Sequence, residues 1–210
     1  MTRQIQIAVL GSSASICTKK AYQMAYEVGK ELGSIGVVTL TGGGLGVMEA
    51  ALKGAKETGG KTLAIVPWET PNMVNDYADI VVATGIGWSR NAINLNSCDG
   101  AIVVGGGAGT LNEATYAYMQ DRPVVAIKTS GGIAKEIAGK YFDVRKSERI
   151  LSANTAKDAV QKLILQVQQL RESPTKLSKL DQELLHSEEK EDWSRIIKKR
   201  RLEMARKNVD

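Results

Sequence analysis

Short runs of β-branched and other apolar residues recur along this chain, each ending in a turn signal and followed by a helical pattern. Ile5 to Leu10 runs into Gly11-Ser12-Ser13, and a helix is predicted over about 18–33. Val37 to Leu40 runs into Gly42-Gly43-Gly44, with a helix over about 46–58. Leu63 to Val66 stops at Pro67, and Ile80 to Ala83 stops before Gly85. Ala101 to Val104 runs into Gly105-Gly106-Gly107 and a helix reaching about Gln120; Pro123 to Ile127 is a further strand. After Ile150 a short strand and a helix over about 155–171 complete the series.

That alternation predicts an α/β fold, a Rossmann-like doubly wound parallel sheet covered on both faces. The strands are continuous apolar runs, as burial from both sides requires. Right-handed crossovers put the C-terminal end of every strand on one edge, so the turns at Gly11, Gly42 and Gly105 are expected to converge there.

Ser173-Pro174 breaks the pattern. The predicted division is therefore a nucleotide-binding domain over 1–172 and a charged amphipathic helical extension over 173–210. Leu177, Leu180 and Leu184, then Trp193, Ile196 and Ile197, recur there at helical spacing, ahead of a basic stretch from Arg195 to Lys207. A solvated helix face accounts for that stretch better than a nucleic-acid contact, because no aromatic platform accompanies it. Much of this late segment is charged with both signs, so the whole-chain net charge of +5 says little about the main domain.

The 21 glycines cluster at the ends of apolar runs, where tight turns need them. Cys17 and Cys98 form no CxxC pair, which excludes a disulfide scaffold and a zinc site, and no metal is expected. No apolar stretch approaches the ~20 residues of a spanning helix, so a cytoplasmic protein without membrane contact is expected.

Glycine-rich turns that open helices are anion sites, since free backbone N–H groups and the helix dipole both favour negative charge. The Gly11 turn lacks the G-x-G-x-x-G of dinucleotide folds. Gly60-Lys61-Thr62 has Ala55 where a P-loop needs glycine, and it precedes a strand. What remains is Thr41–Glu49, reading TGGGLGVME, the segment Gly87-Trp88-Ser89-Arg90-Asn91, and Gly105–Glu113, reading GGGAGTLNE.

These three segments, in this order, resemble the LONELY GUY (LOG) family of the SLOG superfamily, long labelled "lysine decarboxylase-like". That family carries a GGG-x-G-x-M-E turn, an Arg-Lys dipeptide and P-G-G-x-G-T-x-x-E. The resemblance covers roughly residues 5–170. It implies a small phosphorylated ligand, a homo-oligomer (dimer or tetramer), and hydrolysis of the N-glycosidic bond of a nucleoside 5′-monophosphate with no required cofactor. Carried over residue by residue, Gly106, Gly107, Gly109 and Thr110 would cradle the phosphate. Arg90 would stabilise developing charge, and Glu113 would orient water or steady the ribosyl cation. Gly11, Ser12, Gly42, Gly43, Gly44 and Asn91 complete the expected ligand-binding set. A carboxylate facing a developing oxocarbenium is sound electrostatics, and the one histidine, His186, lies in the extension.

Two positions depart from the LOG pattern: Asn91 stands for its lysine and Gly105 for its proline. Both resemble instead a SLOG branch that includes the algal molybdenum-cofactor carrier protein. That likeness implies a bound molybdopterin-type ligand and no glycosidic chemistry. Asn91 cannot replace the lost charge. A third reading, a nucleic-acid-associated SLOG protein similar in fold to DNA-processing protein A, would use the basic tail.

Simpler roles stand beside these. Glu113 could complement a helix N-terminus, Arg90 could be a surface ion-pair partner, and Met48 could be core. The Pro67–Tyr77 segment, with Trp68 and Asn72, could border the ligand ring or be a surface loop. Cys98 is expected to pack from a helix.

Overall fold

The structure, a computed structural model, describes residues 3–144 and 149–172. The extension over 173–210 therefore lies outside the described residues, and so do the helix stripe and basic stretch expected there.

Strands β1 (Gln6–Gly11), β2 (Val38–Thr41), β3 (Thr62–Val66), β4 (Ile80–Ala83), β5 (Gly100–Val104), β6 (Val124–Ile127) and β7 (Leu151–Ala153) form one sheet in the order β4-β3-β2-β1-β5-β6-β7. Every neighbouring pair is parallel. The order reverses direction between β1 and β5, so the crevice beyond their C-terminal ends is the topological switch point where such sheets bind ligands.

Because successive strand residues face opposite ways, each central strand feeds two cores. Ile7 and Val9 of β1 join Ile102 and Val104 of β5 on one face. There they pack under α1 (Lys19–Ser34), α2 (Val47–Glu57) and α6 (Ala156–Glu172). Ala8, Leu10, Ala101 and Val103 face the other way, under α3 (Arg90–Asn96), α4 (Ala108–Met119) and α5 (Gly132–Ile137). Each fully buried Leu, Ile or Val contributes roughly 1.5–3 kcal/mol. The doubly wound expectation holds.

Helices α1 and α2 pack with backbone nearly touching backbone. A β-carbon on Gly29 would lie 2.0 Å from the Ala51 carbonyl oxygen, and one on Gly54 would lie 2.0 Å from that of Tyr26. Thr18 caps α1, its Oγ1 accepting from the Ala21 amide at 3.1 Å, a bond worth about 1 kcal/mol.

Burial on both sheet faces fails at the edge. Ile80 and Val82 of β4 are exposed. The β3–β4 connection packs Trp68, Val74 and Tyr77 against Ala64, Val66 and Val81, which covers one face only. Cys98 is buried as expected, but it lies past the end of α3 and not within it. Burial pushes its thiol up to about 11.

Candidate functional site

At the switch point the loops after β1, β2 and β5 are laced together by backbone and short hydroxyl side chains. The Gly11 carbonyl accepts from Thr110 Oγ1 at 3.0 Å. Ser12 Oγ accepts from the Gly106 amide at 2.7 Å, and the Ser12 carbonyl accepts from the Val47 amide at 3.0 Å. Ser130 Oγ accepts from the Gly105 amide at 2.8 Å. The Gly11, Gly42 and Gly105 turns thus meet at one place, as the order of elements implied.

Gly107 is the N-cap residue of α4. The amides of Gly107, Ala108, Gly109 and Thr110 make no hydrogen bond to any other described residue, as the first turn of a helix leaves them. They carry the positive end of the helix dipole. Gly106 departs from its expected part: its amide is taken by Ser12, and its φ of +94° marks it as the hinge that turns the chain into the helix. The available donors begin one residue later.

Across from these amides, α3 presents polar side chains inward. Arg90 and Glu113 are 6% and 8% exposed, and Arg90 Nη1 donates to Glu113 Oε1 at 2.9 Å. Asn94 Nδ2 donates to the same oxygen at 3.3 Å. Burial raises the Glu113 carboxyl above its ordinary range; Arg90 and then Asn94 pull the other way without cancelling it. Gly42 makes room for the guanidinium, since a β-carbon there would lie 2.4 Å from Arg90 Nη2. Asn91 Nδ2 donates to Asn112 Oδ1 at 2.8 Å. Arg90 Nε, Asn91 Oδ1 and Asn94 Oδ1 are buried without a protein partner.

These elements surround a cleft of about 470 Å³. Of the residues expected from sequence, Gly11, Gly42, Gly44, Arg90, Asn91, Gly107, Gly109, Thr110 and Glu113 line it. Ser12, Gly43 and Gly106 do not. Ser12 acts as the latch just described. Gly43 turns away, its amide donating to Thr41 Oγ1 and its carbonyl accepting from the Asn75 backbone and side-chain amides. Met48 and Trp68, for which core and loop readings stood open, both line the cleft. Sequence reasoning missed Ile16, Leu45 and Asn94, and it gave Trp88 no role. Asn94 had one usable signal, its place four residues after Arg90 on a helix.

The SLOG cluster4 family model matches residues 4–160. The chain belongs to the SLOG cluster4 family. Among the relatives of this SLOG protein is the cytokinin riboside 5′-monophosphate phosphoribohydrolase of Mycobacterium tuberculosis, 27% identical over 164 residues, covering 70% of this chain and 88% of the relative. The structure of the molybdenum cofactor binding protein from Rippkaea orientalis is similar at a TM-score of 0.71 and 30% identity, covering 80% of this chain and 99% of that one. That of the molybdenum cofactor carrier protein from Chlamydomonas reinhardtii is similar at 0.68 and 33%, with the same coverage. Among the described residues, no helix is long and apolar enough to cross a membrane, and no His/Cys/Asp/Glu cluster could hold a metal ion.

Proposed function

We propose that this SLOG protein holds a small phosphorylated ligand in the switch-point cleft, with the phosphate on the amides of Gly107 to Thr110, and carries it without hydrolysis. The observation that carries the reading is the row of four unpartnered amides opening α4 into a cleft of about 470 Å³. Dipole and donors act together there on an anion. Apolar side chains on the walls suit a ring, so a phosphorylated pterin of the molybdenum-cofactor type fits both ends. The carrier and binding proteins at 30% and 33% identity support that ligand class.

Non-hydrolytic carriage is favoured by the cleft floor. Arg90 gives one guanidinium nitrogen to Glu113, and Asn91, bonded to Asn112, brings no charge, so the cleft lining holds one cation and that one is ion-paired. A second reading, nucleoside 5′-monophosphate phosphoribohydrolase, rests on the Glu113 carboxylate lining the cleft beside those amides. It is supported by the mycobacterial relative.

The experiment runs binding and turnover side by side. The full chain is titrated by calorimetry with molybdenum cofactor and with a panel of nucleoside 5′-monophosphates, and the same mixtures are assayed for free base. Binding without base release supports carriage. Base release that is lost in Glu113→Ala supports hydrolysis. Absence of binding to every phosphorylated probe overturns both.

A further inference from the structure

Two exposed apolar side chains stand beside the glycines of the α4 N-terminus. A β-carbon on Gly107 would come within 2.9 Å of Ile16 Cδ1, and one on Gly109 within 3.7 Å of Trp88 Cζ3. The first turn of α4 is therefore bracketed by an isoleucine over one residue and an indole over another. Trp88 is 78% exposed, Ile16 and Leu45 are each 55% exposed, and all three line the cleft. Such large apolar surfaces contribute little to the fold from where they stand, and grouped around donors they mark a binding surface.

The backbone carrying Trp88 is fixed. The Thr84 amide donates to the Val66 carbonyl at 3.1 Å, Gly85 to Trp68 at 2.9 Å and Gly87 to Pro67 at 3.1 Å. Two residues beyond the indole, Arg90 anchors the segment in the protein interior. The indole thus lines the cleft beside Gly109 from a braced loop.

We infer that Trp88 is the stacking face for the ligand's ring and the residue that gives this cleft its preference for a fused ring over a single ring or a bare sugar phosphate. The inference rests on the reading of the α4 amides as the phosphate site and adds the ring specificity. A fused ring overlaps both rings of an indole, whereas a single ring overlaps about half as much and a sugar phosphate has no π-face to offer. Ile16, Leu45 and Met48, which line the same cleft, are available for dispersion contacts with the ring. Removing an aromatic partner from a stacked base weakens binding by roughly 5- to 100-fold.

The test is calorimetric titration of the full chain and of its Trp88→Ala and Trp88→Phe variants with guanosine 5′-monophosphate, 6-hydroxymethylpterin phosphate, uridine 5′-monophosphate and ribose 5-phosphate. The wild type is expected to bind the fused-ring esters at least about fivefold more tightly than ribose 5-phosphate, with the uridine ester between. Trp88→Ala removes that advantage and leaves ribose 5-phosphate unchanged, and Trp88→Phe retains part of it. The tighter of the two fused-ring esters separates purine from pterin. Equal binding of fused-ring esters by wild type and Trp88→Ala overturns the inference. Ribose 5-phosphate binding as tightly as the fused-ring esters in the wild type overturns this inference alone. No binding of any ester, ribose 5-phosphate included, overturns the phosphate reading and this inference with it. Melting curves serve as the fold control, because the indole is exposed and the variants are expected to melt with the wild type.

Discussion

Replacing Arg90 by alanine strands a buried carboxylate, and the cost follows from its surroundings. Glu113 is 8% exposed and has two side-chain partners on Oε1, Arg90 at 2.9 Å and Asn94 at 3.3 Å. Removing one partner of a buried ion pair costs about 3–5 kcal/mol. Two features favour the lower end here. Asn94 remains in place, and Glu113 borders the cleft, so water reaches the vacated space. The expected loss is about 3 kcal/mol, or roughly 6–12 °C in melting temperature for a domain of this size. Urea unfolding at neutral pH of the wild type, Arg90→Ala, Glu113→Gln and the double variant measures it, with an unchanged denaturant slope as the two-state check. The double variant is expected to lose at least about 1 kcal/mol less than the sum of the two singles. Additivity within about 0.5 kcal/mol would show that the pair does not act as one unit, and the electrostatic account of the cleft floor would fail.

Other perturbations read different parts of the site. The Glu113 carboxyl is raised above its ordinary value of 4.5 by burial, so the folded state binds the extra proton between that value and the raised one. Wild-type stability is expected to fall relative to Glu113→Gln as pH rises from about 4.5 toward neutral, and paired urea titrations across that range check the sign. Gly109→Ala places its β-carbon at ordinary contact distance, 3.7 Å from Trp88. It should leave the melting temperature within about 2 °C while weakening phosphate-ester binding at least fivefold, as calorimetry would show. Gly29→Ala drives its β-carbon to 2.0 Å from the Ala51 carbonyl oxygen, which cannot swing aside as a side chain can. A net loss of about 1–3 kcal/mol is expected in urea unfolding, despite the better helix propensity of alanine.

The fold was largely legible because its signals are local. Apolar runs ending in glycine located the strands to within about a residue or two, and their alternation with helical stretches gave the sheet. Helix α3 was harder, because it inverts the usual pattern. Arg90, Asn91 and Asn94 face inward, so a search for an apolar stripe finds a polar one and reads a solvent face. Residues on the site's walls were partly legible, since glycine motifs mark backbone that approaches a ligand. The division of labour within the motif was not. That Gly106 gives its amide to Ser12 while Gly107 keeps its own depends on a contact between residues 94 positions apart. No local pattern encodes such a contact. Exposed Ile16, Leu45 and Trp88 escaped for the opposite reason: isolated apolar residues in loops carry no periodicity.

The balance of charge on the cleft floor bears on carriage against cleavage. Breaking a glycosidic bond builds positive charge on the sugar, and a carboxylate assists by the field it projects there. The guanidinium 2.9 Å from Glu113 Oε1 offsets part of the field that the carboxylate projects, leaving that of a dipole in place of a full charge. Asn91 occupies the position of the LOG lysine, and its bond to Asn112 adds no charge to shift the balance. The remaining electrostatic pull comes from the backbone amides of α4, which bind an anion equally well before and after any bond is broken. Interactions that do not strengthen toward the transition state raise affinity without raising rate. On the proposed reading, a floor whose one cation is already paired, beneath an anion cradle, suits holding a phosphorylated ligand, and cleavage would require Arg90 to part from Glu113 first.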